Sequence, residues 1–491
     1  MFRTLERHFI DHPLEGLGWL CALQVLLWTA LPAAGSLSPT LDVAEMLAWG
    51  QEWQLGYYKH PPLPAWIAQA ARLATGEAIW GPMLASQLCV ALTFVFVFLL
   101  GRRLMGPRDA LLGTALLTSV FYFSWPTPEL NHNVVQMPIW AAAIYLVVVI
   151  SSAPRRLAPW LWLGVVAGLG VYAKYSVGVL YAVLGMWLLA EPNLRRALLG
   201  PAPWIGLCLA LVIAAPHLVW LAESGFLPLT YAQNRSMASH TSAWRPLGFL
   251  VTQIADHLPM LVPLGLAFPF MRGAQEEPAP LAPHGLRYLA VATLGPVLLT
   301  AALALVTGAG LKDMWGAPMF TTSGLLAVAL LRTRLGKPAA QRMLAGCLLL
   351  LVVLPAAFAL QGPVADWLQR KPPRNGWPMA EIAGRLTDVW RRETGGPLRI
   401  VEGEPWLAGL VSAGSADRPS VRIPGLDALS PWILAQELAR DGWLLVWFGG
   451  GDAPEGLDVS TQGHILVPWS RPGDLVIGYA IARPVSDSDA E

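Results

Sequence analysis

Charge is what this chain has least of. Only 13% of its 491 residues are Asp, Glu, Lys or Arg, while 55% are hydrophobic; a soluble domain carries roughly 25% charged residues. The formal net charge of +1 excludes nucleic-acid binding driven by bulk electrostatics. Cysteine is scarce too. Cys21, Cys89, Cys208 and Cys347 each sit inside an apolar run, with no metal or redox spacing between them, so they read as small buried hydrophobes. A phosphate loop is also missing: Gly449-Gly450-Gly451-Asp452 runs into Ala453-Pro454-Glu455-Gly456 rather than a helix. What remains is long apolar sequence and 23 tryptophans, the composition of an integral membrane protein whose indole rings settle at the interface.

A membrane span takes about 20 mostly apolar residues. Eleven candidates lie near 17–34, 79–100, 109–124, 134–151, 159–172, 175–190, 203–221, 247–270, 288–308, 315–331 and 343–361. The first reads as a retained span rather than a cleaved signal peptide. With a cytoplasmic N-terminus, every inner loop is basic: Arg102, Arg103 and Arg108, then Arg155 and Arg156, Arg195 and Arg196, Arg272 and Arg287, and finally Arg332, Arg334, Lys337 and Arg342. That pattern requires two helices within 159–190, with a turn near Lys174.

The expected fold is therefore an α-helical polytopic membrane domain over residues 1–361, with a first outer loop at 35–78. From 362 to 491 the sequence is far more charged. Lys371-Pro372-Pro373-Arg374 reads as a linker, Met379 to Arg392 as a helix, and 398–401, 443–448 and 475–481 as strands. An odd number of spans places this small α/β domain on the extracytoplasmic side.

Polar residues concentrate in the outer loops. The first packs Asp42, Glu45, Tyr57, Tyr58, Lys59 and His60 ahead of Pro61-Pro62, which bars helix and pins the direction of the Lys59-His60 pair. A carboxylate at the end of a span is poorly solvated. It stays ionised beside cations and can then take a proton from an acceptor hydroxyl or amine. Cations on the outer side work against orientation, so Lys59, Arg72, Lys174, Arg235, Arg245 and Lys312 call for local reasons; for Arg72 and Arg235 an ordinary surface charge is an equal reading. A pocket formed by Lys59, Lys174 and Lys312 would hold a phosphate. Cleaving a sugar–phosphate bond needs both parts, a base for the nucleophile and cations for the departing phosphate.

A second cluster, Glu129, Asn131, His132 and Asn133, enters a span. It is read as substrate binding or as helix capping by Asn131 or Asn133. Glu129 and His132 are also two candidate ligands for a divalent ion, too few to claim one. The stretch from Ala222 to Trp244 is a long polar loop offering Tyr231, Gln233, Asn234, Arg235, His240 and the adjacent Arg245 as a lid or binding segment.

Asp42, followed by Tyr57-Tyr58-Lys59-His60-Pro61-Pro62-Leu63, resembles the first-loop signature of the C-type glycosyltransferases, in the bacterial branch related to protein O-mannosyltransferases and lipid A aminoarabinose transferases. Ala173-Lys174-Tyr175-Ser176 and Lys312-Asp313-Met314-Trp315-Gly316-Ala317-Pro318 resemble further elements of that branch. The resemblance implies a sugar taken from a polyprenyl-phosphate carrier at the outer face of a bacterial inner membrane, usually with inversion. It also implies Asp42 as the base. The donor phosphate would lie near Tyr58, Lys59, His60, Lys174, Tyr175, Arg245 and Lys312. Glu45, Glu129, Asn131, His132 and Asn133 would serve the sugar or acceptor. Many relatives carry a second acid directly after the aspartate, where this chain has Val43 and places Glu45 one helical turn on. The acceptor would be an envelope glycan, a lipid or a protein. A flippase for lipid-linked sugars is the alternative, using the same cationic pocket without chemistry. It lacks the inverted repeat and mid-span charge pair often seen in carriers.

Overall fold

The computed structural model describes residues 2–76, 78–237, 245–271, 279–453, 459–469 and 473–484. Among the described residues seven helices are long and apolar enough to cross a membrane: Pro13–Ala34, Trp80–Met105, His132–Ser152, Pro201–Glu223, Pro246–Phe270, Gly285–Thr307 and Lys337–Trp367. An eighth is broken, with Asp313–Phe320 and Ser323–Arg334 meeting at 57°. Leu157–Ala173 and Val177–Ala190 are shorter apolar helices, parted by Lys174 in an extended conformation. The stretch expected at 109–124 is the Pro107–Leu116 helix followed by two short 3-10 turns, and it is almost wholly buried. Each expected span thus falls on helix, and the chain is a helical polytopic membrane protein.

Without a hydrophobic drive between helices in lipid, close approach depends on small residues. A Cβ on Gly164 would overlap the Gly206 carbonyl oxygen, which is how the Leu157–Ala173 and Pro201–Glu223 helices pack with backbones in contact. At the end rich in arginine, Arg332 pairs with Asp109 at 3.6 Å, both buried, and Lys337 pairs with Asp11 at 2.7 Å.

Beyond Trp367 the fold changes. Five strands, β1 (Ile400–Gly403), β2 (Ser420–Arg422), β3 (Trp443–Phe448), β4 (Thr461–Val467) and β5 (Leu475–Ala482), form one sheet in the order β2-β1-β3-β5-β4. The β1–β2 and β1–β3 pairs are parallel, and β5 runs antiparallel to β3 and β4. The Met379–Thr394 helix lays Ile382, Leu386, Val389 and Trp390 on the domain core, and the Pro405–Gly414 helix adds Leu407, Leu410 and Val411. Sequence periodicity anticipates β1, β3, β5 and the first helix. It misses β2, β4 and the second helix, which are short or half polar.

This domain is locked to the loop at 35–78 rather than tethered to it. Ala44 and Ala48 belong to its hydrophobic core. Gln51 donates to Ser412 Oγ at 3.4 Å and to the Pro419 carbonyl at 3.2 Å. The segment that reads as a linker is itself a clasp. The Asn375 carbonyl accepts the N–H groups of Leu37 and Ser38 at 2.7 and 3.0 Å, and Ser38 Oγ donates to the Arg374 carbonyl at 2.7 Å. A Cβ on Gly409 would stand 3.2 Å from the Ala44 carbonyl oxygen, so only glycine allows this approach without adjustment. Gly409→Val is expected to wedge the two helices apart, lowering stability by about 1–3 kcal/mol and transfer activity with it. Thermal melting and activity of the purified variant check this; wild-type values for both would show that the contact holds nothing.

Candidate active site

Asp42 sits in the first turn of the Leu41–Gly50 helix. The N–H groups of a first turn have no partner inside the helix. Thr40 at the N-cap gives no side-chain cap; instead Glu129 Oε1 accepts the Asp42 N–H at 2.9 Å. An acid from the loop ahead of the His132–Ser152 helix therefore caps the helix that carries the first loop's aspartate, in the orientation that the helix dipole favours.

Asn131 completes the hold. It is the N-cap of the His132–Ser152 helix, with Oδ1 accepting from the N–H groups of Asn133 and Val134 at 2.9 and 3.2 Å. That leaves its amide Nδ2 to donate, and it donates to Asp42 Oδ2 at 3.1 Å. Capping and site construction, alternatives in the sequence, are one arrangement here. Two residues on, Asn133 Oδ1 accepts from Lys174 Nζ at 2.6 Å. One helix end thus orients an acid and a cation side by side.

Lys59 is committed elsewhere. Its Nζ lies 2.5 Å from Glu45 Oε1, both side chains mostly buried. It also lies 5.3 to 6.0 Å from the ring centres of Trp49, Tyr58 and Tyr231, a cage that suits a cation. Backbone bonds between Tyr57 and His60 in both directions, at 3.0 and 3.1 Å, close the turn ahead of Pro61. The His60 ring packs on His132 with centroids 4.0 Å apart.

These groups surround a cavity of about 490 Å³. Asp42, Asn131, Asn133 and Lys174 form one wall, with Glu45, Lys59 and His60 beside them. Tyr231 and Arg235 reach it from the Leu227–Met237 helix, which occupies much of the stretch expected to be loop, and Lys312 reaches it from the turn before the broken span. Glu404 and Pro405, at the start of the Pro405–Gly414 helix, line it from the C-terminal domain.

Burial raises the Asp42 carboxyl, and Lys174, Asn131, Lys59 and Arg374 pull it back. Glu129 is pushed up to about 7, first by burial and then by the Asp42 charge. Lys174 and the Asn131 amide act on the Asp42 carboxyl, while Glu129 accepts the Asp42 N–H and feels the Asp42 charge. Burial likewise raises Glu45, to about 7, against the opposing pull of Lys59. For Lys59, burial works downward, but Glu45 and Tyr58 outweigh it and hold the ammonium charged. Burial, then His132, Lys174 and Lys59, push His60 far below its ordinary range, leaving a neutral ring. Lys174 is lowered by burial to about 8, with Asp42 opposing; among the cations given a value here, its charge is the one within reach of physiological pH.

The structure brings together Asp42, Glu45, Lys59, His60, Asn131, His132, Asn133, Lys174, Tyr175 and Lys312 on the cavity wall. Two expected contacts stand behind it. Glu129 grips the Asp42 backbone, and Tyr58 supports Lys59. The two candidate metal ligands are turned to other partners, since Glu129 holds the Asp42 N–H and His132 Nε2 lies 3.3 Å from the Pro61 carbonyl oxygen. Among the described residues no group of three or more His, Cys, Asp or Glu side chains is placed to hold a metal ion. Arg72 is 4% exposed and so is not a surface charge. The Arg245 side chain and His240 lie outside the described residues. Sequence reasoning misses Glu404. The Glu-Pro pair signals a helix start, yet nothing local says that this helix faces a membrane cavity.

The dolichyl-phosphate-mannose-protein mannosyltransferase family matches residues 59–220. The lipopolysaccharide core galacturonosyltransferases RgtA and RgtB of Rhizobium johnstonii are 25% and 26% identical, over 94% and 89% of this chain and 95% and 89% of theirs. The crystal structure of ArnT from Cupriavidus metallidurans bound to undecaprenyl phosphate superposes with a TM-score of 0.62 at 13% identity, covering 94% of this chain and 98% of that one. The likeness read from the loop at 35–78 therefore extends over nearly the whole length, C-terminal domain included. With a cavity assembled from that loop's acid and cations, the chain is a membrane glycosyltransferase of the C-type fold, similar over residues 59–220 to the dolichyl-phosphate-mannose-protein mannosyltransferases and in fold to ArnT.

Proposed function

We propose that this enzyme moves a sugar from a polyprenyl-phosphate carrier to the lipopolysaccharide core at the outer face of the bacterial inner membrane, with Asp42 as base. One observation carries the reading: Asp42 and Lys174 are held side by side by Asn131 and Asn133 at one helix end, on the wall of a single cavity. Asp42 takes the proton of the acceptor hydroxyl as its oxygen attacks the anomeric carbon. The bond from that carbon to the carrier phosphate breaks, and the phosphate leaves with the electron pair. Lys174 and Lys312 stabilise the charge it gains. Lys59, neutralised by Glu45, shapes the wall more than it binds the phosphate.

The sugar is a uronic acid in this reading. Support comes from the two Rhizobium relatives, whose names specify galacturonosyl transfer to this acceptor. It also comes from Arg235 and Lys312, two cations on the cavity with no acidic partner among the described residues. One can meet the carrier phosphate and the other a sugar carboxylate. Offered a panel of polyprenyl-phosphate sugars, the purified enzyme is expected to consume the galacturonic acid donor at least about tenfold faster than the neutral hexose. Equal rates, or preference for an amino sugar, would overturn the uronic acid.

A further inference from the structure

Glu404 is placed to do something that the membrane domain does not. It lines the cavity from the C-terminal domain, beside Pro405. Its orientation is fixed: Oε2 accepts the N–H groups of Trp406 and Leu407, both at 3.2 Å. Oε1 makes no hydrogen bond among the described residues, so one oxygen of this cavity-lining side chain is left available. The position of the whole helix is fixed as well, by Gly409 against Ala44 and by the clasp at Asn375. Glu404 lies near enough to Glu45 for its charge to be felt there, and Glu45 is one helical turn beyond Asp42.

The chemistry of a carboxylate then selects its ligand. An ionised carboxylate only accepts hydrogen bonds and repels a phosphate, so Glu404 does not serve the carrier. The cations that can serve it, Lys174, Lys312 and Arg235, come from the membrane domain. Sugar hydroxyls are donors that the transferred sugar and the acceptor both carry, and Glu404 enters from the C-terminal domain, apart from the membrane-domain cations that serve the carrier phosphate. We propose that Glu404 is an acceptor-binding residue, making the C-terminal domain one half of the site for a hydroxyl-bearing glycan while the membrane domain holds the lipid-phosphate sugar. This rests on the glycosyl-transfer reading above, and it adds a role for the C-terminal domain in specificity.

The test uses E404Q and E404A in the full chain, in nanodiscs. The amide oxygen of E404Q still accepts the Trp406 and Leu407 N–H groups, so the cap survives while a donor replaces the free oxygen. Binding is measured directly with two probes: the oligosaccharide released from lipopolysaccharide core by mild acid, and polyprenyl phosphate. E404Q is expected to weaken oligosaccharide binding by about tenfold or more, with unchanged polyprenyl-phosphate affinity and unchanged melting temperature. E404A should weaken it similarly and melt lower because the cap is gone. Wild-type oligosaccharide affinity in both variants overturns the proposal, as does an equal loss of both ligands. Failure of the wild type to bind polyprenyl phosphate would count against the glycosyl-transfer reading instead, and leaves the oligosaccharide comparison readable.

Discussion

Asp42→Asn is expected to cut sugar transfer by about 10³-fold, roughly 4 kcal/mol of barrier, with insertion, melting temperature and carrier binding close to wild type. The expectation follows from geometry. The Asn131 amide can still donate to the side-chain oxygen of the substituted residue, and Glu129 still receives the backbone N–H, so the helix and cavity keep their shape. What is lost is a carboxylate that can take a proton while flanked by a cation and an amide donor. Single-turnover transfer with wild type and variant side by side measures it. Retained turnover would remove Asp42 as the base and direct attention to Glu45, the other acid of the same helix.

The second large effect concerns Lys174. Its ammonium is depressed to about 8 by burial. A cation is charged below its pKa, so as pH rises through about 8 the group neutralises and activity should fall. Lys174→Arg keeps its charge at every accessible pH, and the alkaline limb is expected to disappear, although a less well-placed guanidinium lowers the maximum rate. Lys174→Met should cost about 10²-fold and shift the acid limb as well. Lys174 is the largest influence holding Asp42 down against burial, so without it Asp42 ionises only at higher pH and the acid limb moves up. A pH–rate profile of the three proteins decides the matter. An alkaline limb that persists unchanged in Lys174→Arg would assign that limb to another group.

Much of the membrane domain was legible because its physics is local. An apolar run of sufficient length in a chain this poor in charge has few other fates, and the positive-inside pattern correctly required a break at Lys174. The first loop was legible because Asp42, Lys59 and His60 stand out against that apolar background. The assembly of the site was not. Nothing within the Thr127–Asn133 stretch says that Glu129 will cap a helix 87 residues earlier, or that Asn131 will spend one side-chain atom on its own helix and another on Asp42. Lys59 was legible as a cation but not as half of a buried pair with Glu45. Glu404 was invisible for a different reason: its place on the cavity depends on how the C-terminal domain docks, and docking is set by surfaces such as Ala44 against Gly409 that carry no sequence signature. The linker reading fails for the same cause. Lys371-Pro372-Pro373-Arg374 has the composition of a tether, yet Asn375 beside it binds the backbone just ahead of Asp42.

Glycosyl transfer from a lipid-phosphate donor, as against movement of the intact lipid, is tested most directly by mass balance in proteoliposomes. Polyprenyl-phosphate galacturonic acid is supplied with lipopolysaccharide core acceptor, and free polyprenyl phosphate, glycosylated acceptor and the leaflet of the remaining donor are all followed. One polyprenyl phosphate released for each sugar gained by the acceptor, in wild type and not in Asp42→Asn, is the expected result. Donor that crosses the bilayer with its sugar still attached, equally well in both proteins, would contradict it and make the chain a flippase.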